Sequence, residues 1–248
     1  MSEGSVMTRG LCAYAITREH TPHPDVRLVT HDGLALVVAE VDLAPFVELE
    51  AHRARWHRNP SPDDPLVALA RRHDEVVRAV FAHSPVLPLR LATVVDDEPA
   101  AVGLLTEHHD QALAWLDRVA GHREWGVRAR LPRPDESAEV PAEDLSDTEY
   151  LAVRRNRLAA AARMRRDASA AAAALHEALS PHATETVLRT RRSGIPLLDA
   201  AYLVRAEAEP DFRAEAAAHP ELAVDVLGPR PPYSFVNLEP DTGAVAHA

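Results

Sequence analysis

The chain has 248 residues, 46 % of them hydrophobic, with 27 basic and 38 acidic side chains and a net charge of −11 at neutral pH. That size suits one large or two smaller globular domains, burying roughly 70–75 % of the unfolded surface. All 27 basic residues are Arg, so Schiff-base and general-base lysine chemistry is excluded. The single cysteine, Cys12, excludes intramolecular disulfides and cysteine-rich zinc sites, and the acidic balance argues against generic nucleic-acid binding.

The nine glycines lie at least five positions apart, so neither G-x-G-x-x-G nor G-x-S-x-G can be written. A P-loop needs Gly-Lys, and there is no Lys. No cofactor is therefore expected. The apolar run Leu34 to Ala39 falls far short of the roughly 18–20 residues of a membrane span. No basic region followed by an apolar stretch follows Met1, so no membrane role and a cytoplasmic location are expected.

In chain order, Gly10 to Ile16 alternates as a first strand. Thr17 to Asp25 reads as a loop. Val26 to Thr30 and Leu34 to Val41 are strands joined by an Asp32-Gly33 hairpin turn, the second apolar on both faces as a central strand is. Arg53 to Pro65 reads as an exposed loop. Asp64 and Pro65 then open a helix as N-cap and first residue. Its apolar stripe is Leu66, Leu69, Ala70, Val76, Val77, Val80 and Phe81, and Pro85 ends it. Val86 to Val95 reads as a strand that Pro88 confines to an edge or a bulge. Asp97, Glu98 and Pro99 open a single helix with the stripe Val102, Leu105, Leu113, Leu116 and Ala120, closed by Gly121.

A second unit then begins. Trp125 to Leu131 alternates as a strand, and Pro132 to Asp144 is a charged connection. The capping box Ser146-x-x-Glu149 starts a long Ala- and Arg-rich helix that runs to about Leu179. Thr184 to Thr190 and Pro196 to Arg205 pair as strands, Phe212 to Ala218 is a short helix, and Leu222 to Leu227 is the last strand. The order β-α-β-β-α-β is ferredoxin-like. The expected class is thus α+β with two domains: residues 1–121 as a mixed sheet domain, 122–228 as a ferredoxin-like domain, and 229–248 as an irregular proline-rich tail.

Candidate chemistry is sparse. His73-Asp74 resembles a proton-shuttle pair, but His73 falls on the apolar stripe of its helix, so a structural histidine is the expected reading. His108-His109-Asp110 and the His52/His57 pair lack the i, i+4 spacing of helical zinc ligands, so no metal site is expected. Arg90, inside an apolar strand, either pairs with an acid, Glu124 being the best candidate, or reaches solvent. Arg154, Arg155, Arg157, Arg163, Arg165 and Arg166 surround their helix without aromatic interleaving, which favours a solvated face or an acidic protein partner over nucleic acid. The stretch Gly228-Pro-Arg-Pro-Pro-Tyr-Ser-Phe235 has a stiff backbone and two aromatics in a chain with 4 % aromatic residues. It reads as a docking segment, onto this chain or onto a partner. Arg90, Pro231, Pro232, Tyr233 and Phe235 are accordingly the candidate partner-binding residues.

Several of these pieces occur together in one family. The strand Leu11-Cys-Ala-Tyr-Ala-Ile16, the strand Leu34 to Val41, His73-Asp-Glu-Val-Val77 and Val86-Leu-Pro-Leu-Arg90 to Thr93 come first. Gly121-x-x-Glu124-Trp-Gly-Val127, Tyr150-Leu151, Ala201-Tyr-Leu-Val204 and the closing Gly228-Pro-x-Pro-Pro-Tyr-Ser-Phe235 follow. Together they resemble the GvpL/GvpF family of gas vesicle proteins over roughly residues 10–236. Two departures stand out. The family usually continues its arginine strand with Phe-Gly-Thr, where this chain has Leu91-Ala92-Thr93, and Arg230 replaces an aromatic in the tail.

The resemblance implies two α+β domains, the second ferredoxin-like, and a non-enzymatic role. It implies an accessory or minor structural protein of the gas vesicle, in the cytoplasm. Such a protein would bind the main (GvpA-type) shell protein and other accessory proteins and support nucleation or assembly. The alternative on the residues alone is a small-ligand sensor or enzyme built on ferredoxin-like units, with His73 and Arg90 in a cleft.

Overall fold

A computed structural model of the chain describes residues 9–19, 26–42, 65–132, 147–189 and 196–236. These form an α+β protein of eight strands and five α-helices in two four-stranded sheets. The chain divides into two units, one of residues 1–121 with 230–248 and one of residues 122–229.

In the first unit, β1 (Arg9–Arg18), β2 (Arg27–His31), β3 (Leu34–Asp42) and β4 (Leu87–Val95) lie in the order β2-β3-β1-β4. β2 and β3 close with His31 opposite Leu34, and the two turn residues Asp32 and Gly33 take φ +48° and +79°. This is the positive-φ pair that a two-residue hairpin demands. β3 is interior to the sheet, which explains its continuous apolar run: Leu34 to Val38 are all buried. Helix α1 (Pro65–Phe81) buries Leu66, His73, Val76, Val77 and Val80. Val76, Val77 and Val80 pack with Cys12, Tyr14, Val37 and Val86 in one cluster. Burial pushes the Cys12 thiol up to about 11, so it behaves as a small core hydrophobe.

Where one helix was expected after residue 97, there are two: α2 (Glu98–Glu107) and α3 (His109–Val119). Asp97 caps the first, accepting from the Ala100 amide at 2.9 Å. Near its end the Thr106 hydroxyl donates to the Val102 carbonyl at 2.8 Å. Such back-bonding bends helices, and His108 departs from helical geometry (φ −103°, ψ 12°). Both halves keep a buried stripe, Ala101 and Leu105 in α2 and Ala112, Trp115, Leu116 and Val119 in α3. Gly121 follows α3 with φ +69°, as a left-handed cap needs.

The second unit runs β5 (His122–Arg130), α4 (Asp147–Leu179), β6 (Ala183–Leu188), β7 (Leu198–Arg205), α5 (Glu209–Ala217) and β8 (Ala223–Arg230), with strand order β6-β7-β5-β8. Period-two alternation decides the faces. Trp125, Val127 and Ala129 of β5 and Leu198, Ala200, Tyr202 and Val204 of β7 join Ala168, Ala172, Leu175 and Leu179 of α4 and Phe212 of α5 in one core. The Tyr202 hydroxyl is paired with His176 Nδ1 at 2.8 Å, so the polar end of the most central ring is satisfied.

Two expectations need correction. The last strand does not stop at Leu227: β8 continues through Pro229 to Arg230, and residues 233–235 form a short 3-10 turn, so the start of the tail is ordered. Gly228 permits the continuation, because its φ is +152° and its Cα faces the Glu124 carbonyl and the Trp125 ring. The first strand also extends past Ile16 to Arg18, into the expected loop. The Asp64 cap, His52, His57, the Arg53–Pro65 loop before residue 65, Ser146 of the capping box and residues 133–146 of the charged connection lie outside the described residues.

Candidate functional site

The most distinctive local structure in the first unit is the middle of β4. Pairing with β1 runs Leu11 with Val95, Cys12 with Val94 and Ala13 with Thr93, then resumes at Ala15 with Pro88. Residues 89–92 therefore leave the ladder as a wide bulge on an edge strand. The physical cause is in the Leu-Pro-Leu-Arg sequence: Pro88 has no amide to donate, so the ladder cannot continue evenly through it. Freed backbone groups need new partners. The Thr93 hydroxyl takes the Arg90 carbonyl at 2.8 Å, and the His73 ring hydrogen-bonds the Leu89 backbone.

The bulge also gives a departure from the family pattern a cost. Ala92 takes φ +66°, the left-handed region that favours glycine, at the position where the resembled family usually has Gly. We expect Ala92→Gly to stabilise the first unit by about 1 kcal/mol, the cost of holding a Cβ in that region. An equal or lower denaturant midpoint for the variant would contradict this backbone geometry.

His73 is buried beside Tyr14, with ring centroids 5.5 Å apart. Burial lowers its pKa below the ordinary 6.5, while the Leu89 backbone bond and the charge of Asp74 act the other way. Its Nδ1 is buried with no hydrogen-bond partner among the described residues. Asp74 is engaged elsewhere: Oδ2 accepts from Arg78 Nε at 2.6 Å and Oδ1 accepts from the Tyr233 hydroxyl at 3.1 Å. The adjacent His and Asp are therefore structural parts of two different contacts.

A depressed histidine pKa means that the unfolded chain binds the proton better, so this contribution to stability is lost as pH falls through 6.5 and below. Urea unfolding at pH 7.5 and 5.5 should show a steeper acid loss for the wild type than for His73→Leu. His73→Ala should cost about 1–3 kcal/mol at pH 7.5. Parallel pH profiles for wild type and His73→Leu would show that the ring is not held neutral.

The tail residues converge on this same unit. Pro231 and Pro232 are buried, Tyr233 packs at the edge of the cluster containing Cys12, Tyr14, Val76, Val77 and Val80, and Phe235 is only 2 % exposed. Of the five candidate partner-binding residues, four are thus buried or half-buried, and Arg90 alone is exposed on the bulge. Glu124, the expected partner of Arg90, is fully buried, and its Oε1 accepts from Arg189 at 3.2 Å. Arg90 satisfies its alternative, solvent exposure.

Two further features bear on chemistry. His109 Nε2 reaches the Asp32 backbone carbonyl at 3.1 Å and Nδ1 reaches Asp110 Oδ1 at 3.0 Å. It ties α3 to the β2–β3 turn, and the Asp110 bond, followed by the Asp32 backbone, raises its pKa. An open polar hollow of about 450 Å³ surrounds it, lined by His31, Asp32, Thr106, Glu107 and Gln111. No group of three or more metal-ligating side chains occurs among the described residues. The six arginines of α4 are all exposed. Sequence reasoning missed that Tyr150, Leu151, Leu158 and Met164 are exposed with them. The spacing gives no warning of this: Leu151 and Leu158 lie on the seven-residue repeat of Ala172 and Leu179, and Met164 stands four positions before Ala168, so the apolar pattern runs on toward the N-terminus.

Comparison with known proteins places these elements. The family profile described as gas vesicle synthesis protein GvpL/GvpF matches residues 10–237. The chain is 35 % identical over 231 residues to gas vesicle protein L of Streptomyces sp. (strain CB03234), covering 86 % of this chain and 83 % of that protein. Its fold is similar to crystal structures of gas vesicle protein GvpF from Anabaena sp. PCC7120 (TM-score 0.63, 19 % identity, 93 % of this chain and 97 % of that one) and from Microcystis aeruginosa (TM-score 0.60, 19 % identity, 91 % and 98 %).

Proposed function

The chain belongs to the GvpL/GvpF family of gas vesicle synthesis proteins, and from that premise we propose that it is an accessory protein that binds the main shell protein and supports vesicle nucleation or assembly. The observation that carries the reading is the family match from residue 10 to 237, which spans every described strand and helix except Arg9, the first residue of β1. The β-α-β-β-α-β order of the second unit, with strands β6-β7-β5-β8, supports the ferredoxin-like description and the division into two domains. No described helix is long and apolar enough to cross a membrane.

Within this reading Arg90 is the point of contact. It projects from a bulged edge strand, and an edge presents backbone groups to an incoming β-prone chain. Deletion of the protein, in a strain lacking any paralogue, should abolish buoyant vesicles while the amount of shell protein synthesised stays the same. The purified chain should retain shell protein on beads, and Arg90→Glu should weaken that retention about tenfold at unchanged melting temperature. Normal buoyancy in the deletion strain would sink the accessory role. Undiminished retention by Arg90→Glu would move the contact elsewhere.

A further inference from the structure

We infer that the N-terminal half of α4 and the groove beside it form a docking site for an acidic amphipathic helix of another protein. α4 has 33 residues, and among the described residues its buried positions all fall in the C-terminal half. Ala168, Ala172, Leu175 and Leu179 are core, whereas none of residues 148–167 is buried. About 30 Å of helix therefore lacks a covering layer among the described residues. A helix that serves only as a solvated spacer would carry polar residues all round. This one exposes Tyr150 (47 %), Leu151 (61 %), Leu158 (63 %) and Met164 (56 %).

An open groove of about 820 Å³ runs along one side of the segment. Its floor is apolar and small, with Ala159, Ala160, Met164, Ala168 and Ala171 facing Leu131 and Pro132. Alanines let a second backbone approach closely, so the trough suits a helix better than a flat surface. Arg157 and Arg163 lie three positions on either side of Ala160, where i, i+3 neighbours share a helix face. Asp167 and Glu221 also line the groove, Asp167 between Met164 and Ala171. An acidic occupant is thereby oriented: its carboxylates lie toward Arg157 and Arg163, and its uncharged positions face Asp167 and Glu221.

Charge selects the occupant. Residues 147–167 hold six Arg against Asp147, Glu149 and Asp167, a net +3, in a chain whose net charge is −11. The remainder of the chain is therefore −14. Two copies of the segment would repel each other. A nucleic acid would be repelled by the rest of the protein and would leave the alanine and methionine floor of the groove without use. An acidic helix with one apolar face meets both the cations and the trough.

The test uses the full chain and fluorescence anisotropy with a labelled 21-residue peptide of Leu, Ala and Glu patterned at helical period. A counterpart carrying Lys in place of Glu serves as comparison. The acidic peptide should bind at least about tenfold more tightly than the basic one. Arg157→Glu with Arg163→Glu should weaken it about tenfold, and Ala160→Gln with Met164→Ser about fivefold, all with unchanged melting temperature. Leu158→Ser, on the other side of the helix, should leave binding within about twofold. Equal affinity for both peptides, insensitivity to either pair, or equal loss with Leu158→Ser would overturn the proposal. So would tighter binding of single-stranded RNA, or self-association of the chain in sedimentation that either pair abolishes.

Discussion

Gly228→Ala is expected to destabilise the second unit by about 3 kcal/mol, and Gly228→Val by more. Two costs add at this position. The φ of +152° is one that L side chains rarely adopt. An added Cβ would also lie 2.9 Å from both the Glu124 carbonyl oxygen and a Trp125 ring carbon. One of these neighbours is backbone of a central strand, and the other is a core ring 6.2 Å from Phe212, so neither yields cheaply. Thermal unfolding should show the melting temperature lowered by on the order of 10 °C. Gly103→Ala is the control, since a Cβ there meets nothing within 4 Å and Gly103 lies inside α2. It should gain about 0.5–1 kcal/mol. Equal melting of Gly228→Ala and wild type would mean that β8 does not approach β5 in this way.

What the sequence made readable follows from how local the signal is. The Asp32-Gly33 turn, the Asp97 cap and the Gly121 terminus are fixed by a residue's own backbone preference, and all three stand where they were expected. Hydrophobic period gave β3 and β7, since their inward residues, Leu34 to Val38 and Leu198 to Val204, alternate or run unbroken. The break at His108 was not readable, because the apolar stripe passes through it unaltered and the cause is a single hydroxyl bond from Thr106. β8 was cut short at Gly228 because glycine and proline punctuate most strands. Here the glycine marks close approach of two strands, which depends on Trp125, a hundred residues away. The same holds for the candidate site. Pro88 announced a bulge or an edge, and β4 has both. That the bulge lifts Arg90 into solvent, and that Glu124 is engaged by Arg189, are pairings between distant segments that no local pattern encodes.

Truncation after Pro232 is expected to lower the stability of the first unit while leaving the proposed binding to the shell protein unchanged. Residues 230–248 belong to that unit although they follow its sequence by more than a domain's length. Pro231 and Pro232 restrict the backbone, so placing the aromatics costs little entropy. Phe235 is then 2 % exposed, and Tyr233 sits against the cluster around Val76, Val77 and Val80 while its hydroxyl donates to Asp74. Losing a buried phenylalanine costs about 3–5 kcal/mol, and losing the hydroxyl bond adds about 1 kcal/mol. Phe235→Ala should therefore account for most of the truncation's effect and Tyr233→Phe for a small part. Because these side chains are packed within their own unit, anchoring a partner would require them to leave it. The contrary result, weaker shell-protein binding at an unchanged melting temperature, would require Tyr233 and Phe235 to leave Asp74 and the valine cluster when the partner arrives.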